Sequence, residues 1–231
     1  MPEISAGARW LVTGGLGWLA FAVITVFTAA TGGLNPIDQR LAASVPGFAG
    51  GAAIFVARSG AMLSAFPAVT LAALAAAGLL ARTRRGLGSV VMLVSAAATA
   101  STVYLLRVAI GRVGPSSDLL AGAPVDFTFP SGPTTYAMVV CVLATLLATR
   151  RVWRPLGRTV AVTSAVGLAL VIGLGRIYLG YDWPTDVLAG WLLAGGVVCT
   201  AYGSLLLLDN QPDLSGGSKD DRIQTPAGAL A

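Results

Sequence analysis

Three arginines, two aspartates and one short turn are the residues of this chain whose types and spacing can do chemistry together. Arg107 and Arg112 are five apart, Arg176 lies further on, and Asp182 and Asp186 are four apart across Trp183-Pro184. Ser131-Gly132-Pro133 opens an apolar stretch with helical character. An arginine fork matches phosphate oxygens bidentately. A helix N-terminus presents unpaired N–H groups that favour anions. Ser131 suits an N-cap and can also donate to a phosphate oxygen, and Pro133 suits the first helical turn, where a missing N–H costs nothing. Together these groups are donors for a tetrahedral anion. Each also has a plainer role: an arginine can snorkel or pair with Asp182 or Asp186, and either carboxylate can cap the helix that follows. The chain contains no histidine. Its two cysteines, Cys141 and Cys199, fall within apolar stretches and read as buried thiols, not as a disulfide or metal site. No metal-ligand cluster is evident, so neither a metal nor another cofactor is expected.

The elements that must position these residues are membrane spans. The 231 residues are 55% hydrophobic and 11% charged, against roughly 25% charged in soluble domains. Six stretches approach the ~20 apolar residues needed to cross a bilayer: roughly 9–30, 60–81, 87–106, 133–149, 156–175 and 187–208. The first is too long for a plain signal peptide and is expected to be retained. The expected fold is all-α, a polytopic membrane helix bundle with about six transmembrane helices. Residues 1–208 form one transmembrane domain, and 209–231, rich in Gly, Ser, Asp and Pro, read as a disordered tail. Between the first two spans, glycines and prolines interrupt 32–59, where Ile37 to Leu41 can start a short interfacial helix.

Ten of the fifteen basic residues (Arg9, Arg82, Arg84, Arg85, Arg150, Arg151, Arg154, Arg158, Lys219 and Arg222) fall on one side if the six spans alternate. The positive-inside rule makes that side cytoplasmic, with both termini. The net charge of +5 is therefore topological and does not indicate nucleic-acid binding. The loop from Arg112 to Pro130, with Ser116, Ser117, Asp118 and Asp126, and the loop from Arg176 to Asp186 then meet on the outer face. Sites in bundles form where such loops and helix ends converge.

Two segments give the site a family context. Phe129-Pro130-Ser131-Gly132-Pro133 and Gly175-Arg176-Ile177-Tyr178-Leu179-Gly180-Tyr181-Asp182-Trp183-Pro184-Thr185-Asp186 resemble the second and third signatures of the type-2 phosphatidic acid phosphatase superfamily. The resemblance runs from Arg107 to Gly190. The family's first signature aligns to Arg107 through Pro115, with Arg107 in place of lysine and Gly114 in place of arginine; Arg112 can supply a guanidinium from two residues away. The resemblance implies that Arg107, Ser131, Gly132 and Arg176 hold phosphate and that Asp186 orients a nucleophile. Both family histidines are missing: Pro133 stands where the general acid belongs, and Asp182 where the nucleophile belongs. A carboxylate can attack phosphorus, but Asp182 is shorter than histidine and already anionic. Losing general-acid catalysis alone costs about 10²–10⁴ in rate.

Three functions follow as expectations. The first is a multi-pass cell-membrane protein that binds a lipid or polyprenyl phosphate in an extracytoplasmic cleft without ordinary turnover. The second is an active lipid phosphate phosphatase that uses Asp182. The third is a structural or lipid-translocating helper of another membrane protein, in keeping with spans rich in Gly and Ala. Membrane lipids are partners in every case.

Overall fold

Apolar runs of bilayer length become helices because every backbone N–H and C=O must find a partner within the segment. The computed structural model describes residues 5–32, 35–44, 51–115, 127–150 and 154–209. Eight helices are found among them: α1 (Ala6–Ala30), α2 (Pro36–Ser44), α3 (Gly51–Leu63), α4 (Phe66–Arg82), α5 (Gly86–Ile110), α6 (Gly132–Thr149), α7 (Pro155–Tyr178) and α8 (Pro184–Asp209). Five of these (α1, α5, α6, α7 and α8) are long and apolar enough to cross a membrane. The pair α3 and α4 makes a sixth span if taken together, bent by 62°.

This bend departs from the uninterrupted span expected over 60–81. Pro67 sits in the first turn of α4, where it removes the N–H that would have continued α3. The short helix expected from Ile37 is α2. Ser116, Ser117, Asp118, Asp126, Arg151 and the tail after Asp209 lie outside the described residues; Asp209 itself ends α8.

The most enclosed helix is α6. Its buried Val139, Leu143 and Leu146 pack with Met92 of α5 and Ala194 and Val198 of α8. Along α8 lies α1, seated by small residues. A Cβ on Gly17 would come within 3.1 Å of the Gly196 nitrogen, and one on Gly203 within 3.0 Å of the Gly7 carbonyl. Such close approach is how helices associate where no hydrophobic force separates protein from lipid. The bundle therefore has two distinct ends. Arg82, Arg84, Arg85, Arg150, Arg154 and Arg158 gather at one, and Arg107, Ser131, Arg176 and Asp186 gather at the other.

Candidate functional site

At the second end, Ser131 joins two buried ion-pair clusters. It occupies the N-cap position of α6, but its hydroxyl makes no cap hydrogen bond. Instead it donates to Asp182 Oδ2 at 2.6 Å. The Thr134 hydroxyl lies 2.7 Å from the same oxygen of Ser131 and supplies the proton of that contact, because Ser131 has only one to give. The Ser131 N–H donates to the Asp186 carbonyl at 3.0 Å, which pins the start of α6 to the first turn of α8.

The first cluster is Arg176, Asp182 and Ser131. Arg176 Nε donates to Asp182 Oδ2, and Nη2 lies 3.3 Å from Oδ1, a fork against a carboxylate. The Tyr181 ring lies against the same guanidinium, 5.2 Å from its centre. Asp182 is 1% exposed. Its carboxylate thus takes up hydrogen-bond donors from both Ser131 and Arg176, the groups that the family pattern reserves for phosphate.

The second cluster centres on Arg112, whose side chain is 2% exposed. It donates to Asp38 Oδ2 at 2.6 Å, to Thr185 Oγ1 at 2.7 Å and to Asp186 Oδ1, and it lies over the Trp183 ring. Asp38 accepts from the Thr185 N–H at 2.9 Å and from its hydroxyl at 2.5 Å, capping α8 from another helix. Asp186 accepts from the Trp183 N–H at 3.3 Å, the returning half of a capping box. Asp182 and Asp186, though four apart, therefore face different arginines.

Gly114 explains the altered first signature. A Cβ there would stand 2.7 Å from Thr128 Cγ2 and 3.1 Å from the Tyr181 carbonyl. No arginine fits at that position while the 181 loop stays where it is. The chain keeps a guanidinium two residues earlier, in Arg112, and ties it to carboxylates.

Arg107 Nε donates to the Pro130 carbonyl at 3.3 Å. A Cβ on Gly132 would come within 3.3 Å of Arg107 Nη2, so glycine makes room for the guanidinium beside the first turn of α6. Arg107, Gly132, Pro133 and Tyr136 open onto a groove of about 510 Å³. Through Phe66, Ala100 and Tyr136 this groove continues into a second, apolar one of about 200 Å³ between α4, α5 and α6.

The structure thus brings Ser131, Arg176 and Asp182 together, places Arg112 with Asp186, and sets Arg107 with Gly132 on the groove. Asp38 and Thr185 were not singled out from sequence. The available signal was a lone carboxylate, Asp38, in a short helix on the same face as a buried arginine. Among the described residues, no group of His, Cys, Asp or Glu side chains is arranged to hold a metal ion.

Comparison with known proteins agrees with this frame. The chain is 35% identical over 80 residues to an undecaprenyl-diphosphatase of Sulfolobus acidocaldarius, a match covering 34% of this chain and only 34% of that protein's length. Its fold is similar to the crystal structure of a transmembrane PAP2-type phosphatidylglycerolphosphate phosphatase from Bacillus subtilis, with a TM-score of 0.69 at 18% identity over 86% of this chain and 98% of that one. At that identity the likeness is one of fold. The PAP2 superfamily model matches residues 86–206, more than half of the sequence and the part that carries Arg107, Arg112, Ser131, Arg176, Asp182 and Asp186, and the chain belongs to the PAP2 superfamily.

Proposed function

We propose that this multi-pass membrane protein binds a lipid or polyprenyl phosphate at the Arg107 end of the bundle and does not turn it over as a phosphomonoesterase. The observation that carries this reading is the groove. A guanidinium and a helix N-terminus stand at its mouth, and a hydrocarbon-lined channel between α4, α5 and α6 continues from it. A phosphate oxygen suits the first, and an acyl or prenyl chain suits the second. The activities for which the two relatives are named, on an undecaprenyl diphosphate and on a phosphatidylglycerolphosphate, fall within the same ligand class.

The absence of turnover follows from chemistry. Pro133 has no proton to give a departing alcohol. Asp182 has both oxygens engaged, one by Ser131 and Arg176 and the other by Arg176. An attacking carboxylate must first shed those partners and then approach a like-charged phosphate. By the distribution of arginines, this end of the bundle faces outward from the cell membrane.

The test is retention of phosphatidic acid and polyprenyl phosphate by the purified protein, against phosphatidylcholine as reference. Selective retention, lowered roughly tenfold or more in Arg107→Ala, is expected for a lost charge-assisted contact. Equal retention of all three lipids, unaffected by the substitution, would end the proposal.

A further inference from the structure

At the opposite end, the ends of α4, α5, α6 and α8 enclose a polar cavity of about 120 Å³. Among the described residues, Arg84, Arg85 and Arg150 line it beside a single carboxylate, Asp209. Two of these cations are anchored. Arg85 Nη1 donates to the Leu147 and Ala148 carbonyls at 2.9 and 2.7 Å, closing the C-terminus of α6, and Arg150 pairs with Asp209. The third, Arg84, is exposed and holds a left-handed backbone (φ 56°), unusual for a residue with a Cβ. The tight turn between α4 and α5 imposes that conformation and sets Arg84 in the cavity lining.

The cavity does not stand alone. An apolar groove of about 440 Å³ lies between α4 and α6 and shares Leu80 and Arg85 with it. Ala76, Ala144 and Ala148 keep that groove open. A net-positive pocket joined to a groove of hydrocarbon character matches one class of molecule. We propose that this end is a binding site for an anionic phospholipid, with its phosphate at Arg84 between Arg85 and Arg150 and one acyl chain between α4 and α6. Charge complementarity selects the headgroup: a zwitterionic lipid brings its own cation to a lining whose described residues already carry three against one carboxylate. Arg107, Ser131 and Arg176 take no part, so this site stands or falls independently of the groove at the other end.

Native mass spectrometry of the purified full-length chain tests this, with phosphatidylglycerol and phosphatidylcholine of matched acyl chains supplied together. Preferential retention of phosphatidylglycerol is expected. Arg84→Ala should lower it roughly fivefold, the effect of one arginine at an anionic surface. Ala148→Trp, which fills the groove, should lower it too. Circular dichroism establishes that each variant is folded, and if Arg84→Ala does not fold, Ala148→Trp decides. The proposal is overturned by equal retention of the two lipids, or by unchanged retention in the folded variants. Inorganic phosphate binding as tightly as the lipid overturns it as well.

Discussion

Asp182 and Arg112 each sit in a buried ion pair, but the consequences differ. Asp182 holds Ser131 and Arg176 as a phosphate would, so an entering phosphate must compete with it. Asp182→Asn keeps the shape and removes the charge. It should raise affinity for inorganic phosphate or phosphatidic acid by about tenfold, one charge-assisted contact regained. Isothermal titration of both proteins checks this, and unchanged or weaker binding would show that Arg176 and Ser131 do not serve the ligand. Arg112 pairs with both Asp38 and Asp186, themselves 1% and 0% exposed. Arg112→Ala leaves two buried carboxylates without it and should cost about 3–5 kcal/mol, the usual effect of breaking a buried pair. Its unfolding midpoint in detergent should fall well below that of Arg107→Ala; similar midpoints would contradict a structural role. The sequence offered Asp186 as a partner for a nearby arginine, but nothing local announced Asp38 as the second partner of Arg112. Asp38 is 74 residues away, in a different helix, and only packing brings the two together.

Among elements, α1 and α8 depend on glycine where their backbones meet. Gly203→Ala places a methyl 3.0 Å from the Gly7 carbonyl and should destabilise the protein by about 1–3 kcal/mol, as overpacking does. Gly15→Ala meets nothing within 4 Å and should be neutral or slightly stabilising, since alanine favours helix by up to ~1 kcal/mol. Thermal unfolding of the two variants separates close approach from helix propensity; equal shifts would mean that the seam does not set the packing. The helices were largely legible because a bilayer-length apolar run has few other solutions. The break between α3 and α4 was less so: the composition stays apolar through it, and Pro67, the residue that enforces it, looks innocuous in an apolar run. The Ser131 hydroxyl was equally hard to assign, because an N-cap position permits a cap bond without requiring one, and Asp182 offers a stronger, charged acceptor.

At the scale of the whole molecule, the uneven distribution of arginines between the two ends makes the proposed orientation testable. With the arginine-rich end inside, Ile37→Cys, exposed on α2, should react with a membrane-impermeant maleimide in intact cells, and Thr83→Cys, between α4 and α5, only after permeabilisation. The reverse pattern would place the groove on the cytoplasmic side. Belonging to a phosphatase superfamily leaves open what this member does, because function resides in the site and not in the fold. The central claim is a phosphate cradle stripped of its catalysts, and inorganic phosphate release from phosphatidic acid and polyprenyl phosphate by purified wild type and Asp182→Asn tests it most directly. No release above background from either protein is predicted. Sustained release by wild type that Asp182→Asn abolishes would contradict the account and make Asp182 the nucleophile of a working phosphatase.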